Sequence, residues 1–148
     1  MFFQIPLDLK NTPIDKYAAL VDSGRLISDL AQKEAMARLN ELYLDLTRMS
    51  WKQKLKDLIR HLPLPVVVKR KNCVRGLYLC GGVGRGKTML MDLFYSCLPA
   101  GIGQRYHFHR FMQRVHDELT SRRGNKDPIK DIAAQFASET KVICFDEF

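Results

Sequence analysis

Residues 81–88 run Gly81-Gly82-Val83-Gly84-Arg85-Gly86-Lys87-Thr88, a full match to the phosphate-binding pattern G-x-x-x-x-G-K-[ST]. Glycines at these places let the backbone turn so tightly that successive N–H groups face one anion, the β-phosphate of a nucleotide. Lys87 is then expected to reach the β- and γ-phosphates, and the Thr88 hydroxyl to sit on Mg²⁺. Met89 follows in the first helical turn and completes the expected phosphate-binding stretch, Gly81 to Met89. At average composition the pattern arises by chance in roughly one chain of this length in two hundred. A glycine-rich surface turn is the lesser alternative.

A second group of reactive side chains closes the sequence. Lys141-Val142-Ile143-Cys144-Phe145 is an apolar run that ends on Asp146 and Glu147, the Walker B form. Asp146 at the carboxyl edge of a strand is suited to the Mg²⁺ shell beside Thr88. Glu147 is suited to polarise a water for in-line attack on the γ-phosphate, which is general-base work. A kinase that hands its phosphoryl group to a substrate has less need of that second carboxylate, so the pair favours hydrolysis. The candidate catalytic residues are therefore Glu147 and Lys87, and the candidate metal ligands Thr88 and Asp146. A GTPase would carry Asn-Lys-x-Asp, but in Asn125-Lys126-Asp127-Pro128 the Asp falls one place early. That segment reads better as a turn, with Asp127 the N-cap and Pro128 the first residue of a helix.

These groups need elements to hold them. Gly76-Leu77-Tyr78-Leu79-Cys80 is expected to be a buried strand entering the loop, and Met89 to Tyr95 the helix leaving it. Gln104 to Arg110 reads as a second strand, and Phe111 to about Ser121 as a helix with Phe111, Val115 and Leu119 on one side. A helix follows from Pro128 to about Glu139 with Ile129, Ile132, Ala133 and Phe136 facing in, and then the Walker B strand. The order β-α-β-α-α-β implies an α/β fold, a parallel sheet with helices on both faces.

Ahead of this core, over residues 1–71, the chain reads as a helical N-terminal region with a basic linker; residues 72–148 read as a partial ATPase core. Thr12 as N-cap and Pro13 in the first turn open a short helix that Asp22-Ser23-Gly24 ends. Ser28 and Asp29 open a longer one, with Leu30, Ala31, Ala35, Leu39, Leu42 and Leu46 on one apolar face. Pro63 and Pro65 break the helical pattern, and Val66-Val67-Val68 reads as extended.

Length and composition suit one globular domain: 148 residues, 46% of them hydrophobic, with a net charge of +8. No apolar run approaches a membrane span. The opening Met1-Phe2-Phe3-Gln4-Ile5-Pro6 has no basic leader, and four cysteines without a C-x-x-C pair suit a reducing compartment, so the expected location is cytoplasmic. The excess charge is local. Lys52, Lys54, Lys56, Arg60, Lys69, Arg70, Lys71 and Arg75 face only Asp57 between Trp51 and Cys80. This is either a patch for an anionic partner or, the preferred reading, a solvated linker; without interleaved aromatics it argues against nucleic acid. His107 and His109 are expected on one face of their strand, with His116 on the next helix. A metal site there is the weaker reading and a polar layer the stronger, with Arg110 and Arg114 turned toward a neighbouring subunit or peptide.

Residues 74–98, the stretch His107-Phe108-His109-Arg110-Phe111-Met112-Gln113-Arg114-Val115-His116 and the ending Cys144-Phe145-Asp146-Glu147-Phe148 together resemble the ZapE family of bacterial cell-division ATPases. The Asp29-x-x-Gln32 and Leu39-x-x-Leu42 pattern of the long helix is similar as well. The resemblance implies an AAA+-like P-loop ATPase, related to mitochondrial AFG-like ATPases, that binds ATP with Mg²⁺. It further implies a homo-oligomer when complete, peripheral contact with the inner membrane at the division ring, and a protein substrate of the FtsZ type. It places Lys87, Thr88, Asp146 and Glu147 in the roles argued above. Family members continue well past the Walker B strand, so the chain reads as an N-terminal fragment with an incomplete sheet. The alternative function is a catalytically inactive nucleotide-binding fragment or a basic interaction module.

Overall fold

The computed structural model describes residues 11–59 and 74–146, with side chains described outside 49–59. The expected break at Pro63 and Pro65, the extended Val66–Val68, most of the basic segment, Cys73 and Glu147 lie outside the described residues. The chain forms two compact units, residues 1–98 and 99–148.

The regular elements described in the first unit are helices. Helix α1 (Pro13–Asp22) begins as the sequence indicates. Thr12 Oγ1 accepts from the Asp15 N–H at 3.4 Å, and the Asp15 carboxylate accepts from the Thr12 N–H at 3.3 Å, a reciprocal capping box. Gly24, at φ 70°, then turns the chain out of the helix. Helix α2 (Leu30–Ile59) opens on Asp29, whose Oδ1 accepts from the Gln32 N–H at 3.1 Å. Helix α3 (Lys87–Cys97) packs against both α1 and α2. Tyr17, Met36, Leu39, Leu46, Leu90 and Phe94 are buried in this unit.

The buried face of α2 holds Leu39 and Leu46 as expected but departs from expectation at the start of the helix. Leu30 is 85% exposed and Ala31 is exposed, whereas Met36 is wholly buried. Both stripes have helical spacing, so periodicity alone does not choose between them. The docking of α1 and α3 does, and the unbranched Met36 suits an irregular gap between three helices.

The second unit is a β-α-α-β arrangement: β1 (Gly103–His107), α4 (Phe108–Ser121), α5 (Pro128–Glu139) and β2 (Val142–Asp146). The two strands pair in parallel from Gly103 opposite Val142 to His107 opposite Asp146. Helix α5 has the predicted bounds, and Asp127 caps it by accepting from the Lys130 N–H at 3.3 Å. Buried Thr140 ties the end of α5 to the strand entry through its hydroxyl, which donates to the Ile102 carbonyl at 2.7 Å. Two expected inward positions on α5 are corrected. Ile129 is 69% exposed and Ala133 is exposed, leaving Ile132 and Phe136 as the buried pair.

Two strand expectations are also corrected. Residues 76–80 form no strand; Leu77 and Tyr78 are exposed, and so is Cys80. An isolated extended run has no ladder to satisfy its amides, and the described ladder joins only β1 to β2. The second strand stops at His107, not Arg110. Phe108 and Phe111 lie one turn apart on α4 and both meet the Phe145 ring, at 5.9 and 4.8 Å between centroids. Phe111 also meets Phe136 at 5.0 Å. This aromatic cluster rewards helix from Phe108 onward, which outweighs the strand propensity of an aromatic-rich run.

Arg114 completes the unit from within. Its guanidinium donates to both Glu139 oxygens at 2.7 and 2.9 Å and to the Tyr106 hydroxyl at 2.7 Å, while lying 4.6 Å from the Phe136 ring centroid. It is thus an intramolecular clamp between α4 and α5, and not the outward-facing group the sequence suggests. The bond from Arg114 holds the Glu139 carboxyl below its ordinary range. Folding therefore lowers this pKa, so the contribution to stability is fully present above the ordinary glutamate value of about 4.3 and is lost as pH falls through the folded value. The difference in melting temperature between the wild type and Glu139→Gln is accordingly expected to be constant at neutral pH and to shrink below about pH 4.3. Thermal unfolding of both proteins from about pH 3 to about pH 8 checks this.

Candidate nucleotide-binding site

The loop 81–86 leads directly into α3, as its motif demands. Gly84 and Gly86 have φ of 78° and 82°, in the left-handed region that side chains other than glycine rarely adopt. Gly86 is also the N-cap of α3 and offers no side-chain acceptor to the first turn. A helix start normally recruits Ser, Thr, Asp or Asn to satisfy its leading amides. Here that turn is left to another acceptor, and the positive end of the helix favours an anion. Lys87 arches back over the loop, its Nζ donating to the Gly81 and Gly82 carbonyls at 2.8 Å each. One ammonium therefore bridges two successive carbonyls at the start of the loop. Thr88 follows on the first turn with its side chain on the exposed side, and Met89 is half-buried. Val83 is fully exposed and Arg85 largely so.

Three residues behind the loop were not singled out as site residues by sequence. The Gln32 Nε2 donates to the Arg85 carbonyl at 3.2 Å, and Asp29 Oδ2 lies 3.5 Å from Arg85 Nη2. Tyr17 donates its hydroxyl to Gln32 Oε1 at 3.4 Å. The Asp29-x-x-Gln32 spacing is the only sequence signal for them, and by itself it also describes an ordinary helix cap.

In the second unit Asp146 is the last described residue of β2. Its carboxylate accepts from Arg105 Nη2 at 2.6 Å. Arg105 pairs with Cys144 in the register, so Asp146 is its diagonal neighbour on the same face of the ladder. Cys144, opposite Arg105, is buried, and that burial pushes its thiol up to about 11. The thiol is therefore a neutral core group at physiological pH. His107 ends β1 while His109 lies in the first turn of α4, so the two do not share a strand face; their rings stack at 6.3 Å. Among the described residues no three His, Cys, Asp or Glu side chains gather as a metal cage. Mg²⁺ does not need one, since it is usually held by one or two carboxylates together with substrate phosphates. The Asp146 carboxylate is a hard oxygen donor of the kind that ion takes.

The family model for AFG1-like ATPases matches residues 11–148. The chain belongs to the AFG1-like ATPase family. It is 45% identical to the cell division protein ZapE of Escherichia coli over 141 residues, covering 93% of this chain and 38% of that protein. An uncharacterized protein of Schizosaccharomyces pombe is 37% identical over 164 residues, covering 93% and 36%. The lactation elevated protein 1 homolog B of Danio rerio is 47% identical over 85 residues, covering 50% and 17%. No solved structure matches. This AFG1-like chain thus spans well under half the length of the curated relatives it matches, and its ZapE resemblance holds across nearly all of it. Among its described residues no helix is long and apolar enough to cross a membrane.

Proposed function

We propose that this chain carries the phosphate- and magnesium-binding half of an ATPase that spends hydrolysis on remodelling a protein partner of the bacterial division machinery. The observation that supports it most directly is the Gly81–Thr88 loop, with left-handed glycines, an uncapped helix start and Lys87 folded over it. In this reading residues 81–89 cradle the phosphates, residues 72–148 supply the partial core, and residues 1–71 form the helical region ahead of it. Lys87 holds the β- and γ-phosphates, Thr88 and Asp146 hold the metal, and Glu147 orients and deprotonates the attacking water. Mg²⁺, when bound, would supply positive charge that offsets the charge developing on the phosphates. Preference for ATP, assembly into a homo-oligomer, peripheral contact with the inner membrane and an FtsZ-type substrate come from the relationship to ZapE.

The test uses the full-length protein. Phosphate release from ATP should require Mg²⁺, and ATP should change the sedimentation of FtsZ-type polymers in its presence. Turnover with no effect on the polymers would remove the partner from the proposal and leave the ATPase. Failure to bind or hydrolyse ATP would remove both.

A further inference from the structure

We propose that Gln32 is a positioning residue of the nucleotide site, setting the direction of the Gly86 amide from behind the phosphate loop. This rests on the phosphate-loop reading above. The argument starts from the peptide unit between Arg85 and Gly86. That unit is planar and trans, so its C=O and N–H point in opposite directions. Gln32 Nε2 donates to the Arg85 carbonyl at 3.2 Å, and the Gly86 N–H is thereby directed off the Gln32 side. Glycine at 86 leaves the backbone otherwise free to rotate, so an external hold is needed if the amide is to keep one direction. The fit is close. A Cβ added at Gly86 would lie 2.9 Å from Gln32 Nε2, inside any normal contact.

Gln32 is itself held at both ends. Its own N–H is capped by Asp29 Oδ1 at 3.1 Å, which fixes it in the first turn of α2. Its Oε1 accepts from the Tyr17 hydroxyl at 3.4 Å, and Tyr17 is buried in α1 at 3% exposure. The second oxygen of Asp29 holds the Arg85 side chain at 3.5 Å, on the same residue whose carbonyl Gln32 grips. Two helices from the N-terminal region thus converge on one peptide of the loop. Preorganised donors lose less freedom on binding than mobile ones, so this arrangement favours phosphate binding without touching the phosphate. By linkage, a partner that shifts α1 against α2 alters nucleotide affinity, and bound nucleotide alters affinity for that partner to the same extent.

The experiment measures ADP and ATP affinity by calorimetry in the full-length protein, alongside its melting temperature without nucleotide. The variants are Gln32→Met, which keeps the shape and loses the donor, Tyr17→Phe, and the two combined. Gln32→Met should weaken nucleotide binding about tenfold, the scale of one lost hydrogen bond. Tyr17→Phe should weaken it a few-fold, and the double variant should match Gln32→Met, because both act through one amide. Melting temperatures should stay at the wild-type value. Wild-type affinity in Gln32→Met overturns the proposal, as does a fall in affinity matched by a fall in melting temperature. If Gln32→Met does not fold, Tyr17→Phe decides by the same criteria. Lys87→Ala serves as the reference: if it binds nucleotide as the wild type does, the phosphate-loop reading fails, whereas the expected loss of binding in Lys87→Ala with an unaffected Gln32→Met sinks the positioning role alone.

Discussion

Lys87→Ala in the full-length protein will lower phosphate release from ATP by at least ~10²-fold, the scale of removing one preorganised donor from a developing anion. Two effects add. In the proposed site the ammonium is a point charge directed at the β- and γ-phosphates, and its loss would remove attraction that grows as charge accumulates in the transition state. The same Nζ also donates to the Gly81 and Gly82 carbonyls at 2.8 Å, so the variant loses the bridge that draws the two limbs of the loop together. Lys87→Arg separates the contributions. It keeps the charge, but a planar guanidinium cannot direct its donors as the ammonium does. Calorimetry should show weakened nucleotide binding in Lys87→Ala, partial recovery in Lys87→Arg, and little turnover in either. Wild-type turnover in Lys87→Ala would show that the loop does not serve hydrolysis.

Why the loop was legible and its support was not follows from locality. The residues from Gly81 to Thr88 carry their geometry in their own types, because left-handed φ at Gly84 and Gly86 requires glycine wherever the chain goes next. Caps are equally local. Thr12 with Pro13, and Asp127 with Pro128, start helices within one turn, and both were visible as spacing. Gln32 contacts Arg85 across 53 positions of sequence, and nothing about an isolated glutamine announces such a partner. The failures have the same origin. Residues 76–80 had the composition of a strand but not the partner that makes one, and Leu30 had the spacing of a core residue but not the neighbouring helix to cover it. At His107 the chain had strand-like aromatics, yet Phe145, far along in sequence, draws Phe108 and Phe111 into a helix. Where side chains must choose among distant partners, propensity is only a weak guide.

Asp146→Asn is expected to cut Mg²⁺-dependent turnover by about 10²- to 10³-fold, comparable with loss of a principal electrostatic contact in a catalytic site. Nucleotide affinity without Mg²⁺ should change far less. Asparagine preserves the shape and can still accept from Arg105, so the fold should tolerate it; what it removes is the negative charge a hard cation requires. Arg105 makes the converse prediction. Its guanidinium lies 2.6 Å from the Asp146 carboxylate and therefore competes with a divalent cation for the same lone pairs. The pair is partly exposed, at 36% and 12% of its side chains, so solvent screening keeps the competition modest. Arg105→Gln should then lower the Mg²⁺ concentration needed for half-maximal turnover several-fold, while Asp146→Asn raises it or abolishes the response. Magnesium titrations of the two variants, with magnesium-free nucleotide binding as the control, read out opposite signs from two ends of one ion pair. A shift in the same direction for both would mean that the pair serves the stability of the strand ladder, and that the metal is held elsewhere.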